Sequence, residues 1–301
     1  MPSRIRHSEA SPTNKAFALA DFRYWHDLED FRMTCPLNQF SFKTVKVPFY
    51  DVGKGAEAIL LFHGASQTAE YSFRRIVQFK DEFRVIAPTI SGFRGLDELG
   101  QGLTRLLDSR RIDTVHVLGG SFGGMIAQAF FHRHSSRIDR LVLAFTMPPL
   151  PEYKRIFQWI GLLLKTMPPP LLKWLTKKEM VKMLKVDPSL PMETCELLDF
   201  YRAYFLHMLM SVVSKRDLLA QYRLAAEFNG SEIYRPEEGA DHADRILIIT
   251  SRDDPNFKYH ERLKAQYLKP GEVVYESGGH VGSLVHEEDY VSKIKAILRG
   301  R

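Results

Sequence analysis

Two kinds of hydrophobic pattern alternate along this chain. In its first half, short continuous apolar runs recur: AILLF at 58–62, FRVIA at 83–87, VHVL at 115–118 and LVLAF at 141–145. Each run is bounded by Gly, Pro or polar residues, as strands covered on both faces require. Between them the spacing turns helical, over Glu70 to Gln78 and over Leu96 to Arg110, where Leu99, Leu103, Leu106 and Leu107 share one face. Upstream, FKTVKVPFYDV at 42–52 alternates and carries Pro48, which fits an edge strand or hairpin. The rhythm returns late, with a strand at 245–250 (RILIIT), a helix near 259–268, a strand at 272–275 and a closing helix near 287–298. Alternation of this kind predicts an α/β protein built on a doubly wound, mostly parallel sheet.

From 147 to 243 the strand pattern disappears. Helices are expected near 152–166, 170–185, 192–212 and 214–228, punctuated by Met167-Pro168-Pro169-Pro170 and Asp187-Pro188. The domain reading is therefore an N-terminal extension over 1–42, an α/β core over 43–146 and 244–301, and a helical insertion over 147–243. Residues 1 to about 20 have the composition of a mobile leader. The aromatics Phe22, Tyr24, Trp25, Phe31 and Phe40 predict that the rest of the extension packs on the body.

Composition narrows the function. The chain has 301 residues, 45% of them hydrophobic and 26% charged, with a formal net charge of +6. No long Lys/Arg run or nucleic-acid motif accompanies that charge, so no nucleic-acid partner is expected. Cys35 and Cys195 stand far apart without a CxxC spacing, so neither a disulfide framework nor a metal site is expected. The first residues hold no apolar signal-peptide core, and no apolar run reaches membrane-spanning length. The expected location is cytoplasmic.

The stretch TVHVLGGSFGGMIAQAFFHRH, from Thr114 to His134, holds the main candidate chemistry. Gly119-x-Ser121-x-Gly123 sits between a strand pattern and a helix pattern, where a tight turn would lift a serine above the sheet. The neighbours of such a turn must lack bulk, and a helix N-terminus beneath the serine favours developing negative charge. A serine hydroxyl is a weak nucleophile and needs a base, usually a histidine oriented by a carboxylate. Ser251-Arg252-Asp253-Asp254-Pro255 follows the strand at 245–250, and Ser277-Gly278-Gly279-His280 follows the last strand.

With serine, acid and histidine in this order, the chain resembles the α/β-hydrolase superfamily over about 43–150 and 243–300. The resemblance implies Ser121 as nucleophile, His280 as base and Asp254 as the orienting acid, with no cofactor. Members often carry G-x-x-D in the acid loop. Here Ser251 replaces that glycine, which leaves Asp253 as the alternative to Asp254. The resemblance also implies an oxyanion hole from the backbone amides of Phe122 and of Ala65, the residue after the HG-like pair His63-Gly64. His63 itself is expected to be structural.

In many members the insertion is a cap. Its apolar and aromatic content suits a small hydrophobic acyl substrate, such as a carboxylic ester, thioester or lactone. Lys173, Lys177, Lys178, Lys182 and Lys185 interleave with Leu171, Leu172, Trp174, Leu175, Met180 and Leu184. That pattern fits either a solvated cap face or peripheral contact with an anionic membrane. GGSFGGMIAQAFF, YRLAAEFN and the glycine pair after the last strand are also similar to the maspardin branch of the superfamily. That branch acts more through partner binding than through hydrolysis, so a non-catalytic partner-binding protein is the alternative to a serine hydrolase.

Overall fold

A computed structural model describes residues 22–183, 189–232 and 244–300. The expected leader at 1–20 lies outside the described residues. In chain order the elements begin with α1 (Phe22–Thr34), β1 (Leu37–Phe42), β2 (Val45–Val52), β3 (Ala58–Phe62), α2 (Phe73–Phe79), β4 (Arg84–Pro88) and α3 (Leu96–Ser109). The centre follows as β5 (Val115–Gly120), α4 (Phe122–His134) and β6 (Ile138–Ala144). Next come the helices α5 (Lys154–Thr166), α6 (Pro169–Met183), α7 (Met192–His207) and α8 (Lys215–Asn229). The chain closes with β7 (Ile246–Ser251), α9 (His260–Lys264), β8 (Gly271–Tyr275), α10 (Gly282–Val285) and α11 (Glu287–Leu298).

The eight strands form one sheet in the order β1-β2-β4-β3-β5-β6-β7-β8. The first three pair antiparallel and the remaining pairs are parallel. Side chains alternate across the sheet, as strand geometry dictates. Leu60 and Phe62 of β3 enter one core with α3, α4 and α8, while Ile59 and Leu61 enter the other with α1, α2, α7 and α11. This two-sided burial is why β3, β5 and β7 are continuous apolar runs rather than alternating ones.

Several features differ from the sequence reading, among them the helix expected near 259–268, which is only the five residues of α9. The sheet starts at Leu37 rather than at 43, because Lys43 adopts φ 52° and closes a hairpin whose first strand lies inside the extension. The helix expected over 192–212 ends as α7 at His207, followed by one π turn over Met208–Val212. The insertion is not a detached lid. Phe200, Tyr201 and Tyr204 of α7 join one body core, and Leu224 and Phe228 of α8 join the other.

The extension is tied to body and insertion by a half-buried carboxylate. Glu70 accepts from Arg32 of α1 at 2.6 and 3.0 Å, from the Tyr50 hydroxyl of β2 at 3.3 Å and from the Tyr204 hydroxyl of α7 at 2.5 Å. Burial pushes the Glu70 carboxyl up, but Arg32 and the two tyrosines outweigh it and hold it below its ordinary value.

Candidate active site

The central strand β5 ends in Gly120, α4 begins at Phe122, and Ser121 between them adopts φ 52° and ψ −121°. A non-glycine residue held there stores roughly 1–3 kcal/mol of strain, which the surrounding contacts must sustain. They do so from both sides. The Ser121 N–H donates to the Ala144 carbonyl at 3.0 Å, and its own carbonyl accepts from Thr146 Oγ1 at 2.8 Å. A Cβ on Gly119 would lie 2.2 Å from the Gly123 carbonyl oxygen, and one on Gly123 would lie 2.6 Å from that of Phe62. Both glycines are thus required by close approach of backbone to backbone.

His280 comes from the turn after β8 and Asp254 from the loop after β7. His280 Nε2 is 2.8 Å from Ser121 Oγ, and Nδ1 is 3.1 and 3.2 Å from the two Asp254 oxygens. With Nδ1–H donating to the carboxylate, Nε2 is left to accept the serine proton. The Asp254 carboxylate is fully buried and accepts a further bond from the Asn256 N–H at 2.8 Å.

The neighbouring carboxylate does something else. Asp253 accepts from the N–H groups of Gly278 at 3.2 Å and Gly279 at 2.8 Å, and Ser251 Oγ donates to the Gly279 carbonyl at 2.6 Å. Gly278 and Gly279 have φ of 117° and 55°, so the turn presenting His280 is clamped in a shape that favours glycine. Ser251, which reads in the sequence only as a departure from a glycine, is one jaw of that clamp.

The loop after β3 runs beside the elbow, since Phe62 pairs with Gly119 in the sheet. His63 is buried. Its Nδ1–H donates to the Gly64 carbonyl and its Nε2 accepts from the Ile90 N–H, each at 2.8 Å. Burial lowers its pKa to about 4, so it is neutral and structural at pH 7. Gly64 N–H donates to Gln67 Oε1 at 2.9 Å and Ser66 N–H to Gln221 Oε1 at 2.6 Å. The amide between them, Ala65 N–H, has no intramolecular acceptor among the described residues. Phe122 N–H, the first amide of α4, has no preceding turn to bond.

Gln221 was not anticipated. It belongs to α8 of the insertion, and its Nε2 also donates to the carbonyls of Gln67 at 3.2 Å and Ile90 at 3.4 Å. The available signal was a polar residue on the buried stripe Leu218, Gln221, Leu224, Ala225 and Phe228 of one helix. Ala65 and Met125, one turn into α4 from Ser121, pack against one body core, as does Phe157 of α5. Tyr71 and Val281, the residue after His280, pack against the apolar cluster of the insertion. Elsewhere, His260, Glu261 and Glu272 converge, but Glu272 is already shared by His260 at 2.9 Å and Lys264 at 2.6 Å. None of the four belongs to the Ser121 site.

A sheet of this order, with a serine on a tight turn after its central strand, defines the α/β-hydrolase class. The chain belongs to the alpha/beta hydrolase family, whose model matches residues 59–293. It is 26% identical over 239 residues to the 2-hydroxy-6-oxononadienedioate/2-hydroxy-6-oxononatrienedioate hydrolase of an Escherichia coli strain, covering 70% of this chain and 76% of that one. It is 32% identical over 112 residues to the 2-hydroxy-6-oxo-2,4-heptadienoate hydrolase of Pseudomonas putida, covering 33% of this chain and only 40% of the relative. Among solved structures, a hydrolase from Pseudomonas aeruginosa superposes with a TM-score of 0.68 at 17% identity, over 87% of this chain and 98% of that one. No helix among the described residues is long and apolar enough to cross a membrane.

Proposed function

We propose that this chain is a serine hydrolase that cleaves a carboxylic ester, thioester or lactone of a small hydrophobic molecule through an acyl-enzyme. The observation that carries the reading is the 2.8 Å contact of Ser121 Oγ with His280 Nε2, backed by the buried carboxylate of Asp254. In this scheme His280 takes the hydroxyl proton as Ser121 Oγ attacks the substrate carbonyl carbon. Asp254 holds Nδ1–H and stabilises the imidazolium. The new oxyanion lies against the N–H groups of Ala65 and Phe122, and the dipole of α4 adds positive potential there. Collapse of the tetrahedral intermediate breaks the bond to the leaving group, which takes the proton from His280. Water, deprotonated by the same histidine, then releases the acid and restores Ser121. The apolar residues flanking the site support a hydrophobic acyl group.

The names of the two sequence relatives favour a second reading, hydrolysis of a carbon–carbon bond in an oxo-dienoate. It would use the same serine and histidine on a ketone carbonyl. A panel of p-nitrophenyl esters of increasing acyl length, run beside a 2-hydroxy-6-oxo-dienoate, separates the two. Ser121→Ala should abolish whichever turnover is found, and a fluorophosphonate probe should label the wild-type serine. Folded protein that neither reacts with the probe nor turns over any of these substrates would instead be a non-catalytic binding protein on this fold.

A further inference from the structure

The outer face of the insertion is apolar where an ordinary solvated helix pair would be polar. On α5, Phe157, Ile160 and Leu164 face inward, while Ile156, Trp159, Leu162 and Leu163 are exposed. Trp159 is 71% exposed. The chain passes through Met167-Pro168 straight into α6, whose first turns expose Leu171 and Trp174. Lys173 of α6 donates to the Met210 carbonyl at 2.9 Å, which brings the π turn and its exposed Met210 and Val212 alongside. Two of the chain's three tryptophans therefore stand out from one region of the surface.

The charges of that region are predominantly basic. Residues 154–178 contain six basic side chains (Lys154, Arg155, Lys165, Lys173, Lys177 and Lys178), and the acidic residues of this stretch stand only at its ends, Glu152, which pairs with Arg262, and Glu179 of α6. On α5, Arg155 falls within the arc of exposed apolar side chains, and on α6 the Lys178 ammonium lies 5.6 Å from the Trp174 ring centroid. Lys182 and Lys185, which the sequence pattern adds to this group, are not described at side-chain level.

We infer that the exposed faces of α5, the start of α6 and the adjoining π turn dock the protein on an anionic lipid bilayer surface. The charge of this face favours a bilayer over a second copy of the chain. A two-fold dimer through this patch would set the same basic residues against themselves, whereas acidic headgroups neutralise them. Exposed tryptophans with aliphatic neighbours and a basic border match the interfacial layer, where an amphipathic ring sits between acyl chains and headgroups. The inner faces of these helices carry the cluster against which Val281 packs, next to His280. Docking would therefore hold the candidate site close to the bilayer.

The test is co-sedimentation of the full chain with vesicles of 70% phosphatidylcholine and 30% phosphatidylserine, against pure phosphatidylcholine. Binding should be at least tenfold stronger to the anionic vesicles and should be lost in 1 M salt, where screening falls to about 3 Å. Trp159→Ser/Trp174→Ser and, separately, Arg155→Glu/Lys177→Glu/Lys178→Glu should each reduce binding tenfold or more. These positions are exposed, so the melting temperature and turnover of a soluble ester should stay at wild-type values. Ser121→Ala should bind vesicles like wild type, which keeps this inference separate from the hydrolase reading. Equal binding to both vesicle types, or wild-type binding by both multiple variants, would overturn it. So would absence of vesicle binding, whether the chain is monomeric or self-associates in a concentration-dependent way that the tryptophan substitutions abolish.

Discussion

Replacing Gln221 by Met asks whether a side chain of the insertion holds the loop proposed to bind the oxyanion. Met is similar in length and equally unbranched, so the buried space stays filled while every polar contact is removed. Three groups lose their partner: Ser66 N–H at 2.6 Å, and the carbonyls of Gln67 at 3.2 Å and Ile90 at 3.4 Å. The two longer contacts are weak, so the Ser66 amide dominates. An orphaned buried donor costs about 1–3 kcal/mol, and a net loss near 2 kcal/mol is expected, read from the urea midpoint at constant m-value. Catalysis should suffer through geometry. Ser66 has φ 59° and is held by this bond next to Ala65, so releasing it lets the Ala65 amide drift from the oxyanion position. Complete removal of an oxyanion donor typically costs a factor of about 10²–10³ in kcat, so a loosened one should cost about 10–100-fold. The fall should appear in kcat with p-nitrophenyl butyrate while KM changes little. Gln221→Glu keeps the acceptor for Ser66 but sets a carboxylate against two carbonyls, and should recover part of the kcat. A Gln221→Met protein with kcat within twofold of wild type would refute the positioning argument, whatever its stability.

The two adjacent carboxylates should separate cleanly. Asp254→Asn should lower kcat by about 10⁴-fold, as loss of the tautomer-holding carboxylate does in a triad, while Asp253→Asn should cost roughly tenfold by loosening the Gly278–Gly279 turn. A reversed ranking in steady-state kinetics would reassign the acid. Gly123→Ala should destabilise by about 2–3 kcal/mol, because its Cβ meets backbone that cannot yield; a thermal melt within a degree of wild type would contradict the close approach at the elbow. Stability should also fall between pH 6.5 and 4.5. His63 and His132 have folded pKa values of about 4 and about 3, and burial lowers those of His116, His134 and His207 as well. The unfolded chain takes up these protons near pH 6.5, so acidification favours unfolding, by on the order of 3 kcal/mol for His63 alone once its folded pKa is passed. The depressed carboxyls of Glu70 and Glu287 matter only below that window. A urea midpoint that is flat or rises from pH 7 to 5 would count against neutral buried histidines.

Local chemistry made much of this protein legible without coordinates. Short apolar runs closed off by turn residues suit strands covered on both faces, so β3, β5 and β7 and the sheet they imply follow from the pattern and flanks of residues 58–62, 115–118 and 245–250. Gly119 and Gly123 around Ser121 signal a steric demand that is itself local. The positions of Asp254 and His280 after successive strands follow from the topology of a parallel sheet, whose strand ends share one edge. What required the tertiary structure were choices between near-equivalent groups and contacts between distant segments. Asp253 and Asp254 are chemically identical neighbours, and only the path of the loop after β7 sends one toward His280 and the other to the amides of Gly278 and Gly279. Gln221 meets Ser66 across a separation of 155 residues, through the packing of α8 against the body, which no local pattern encodes. The same holds for the insertion. Its composition announces apolar helices, but Phe157 turns inward and Trp159 outward only because α5 has the rest of the fold on one side and nothing on the other.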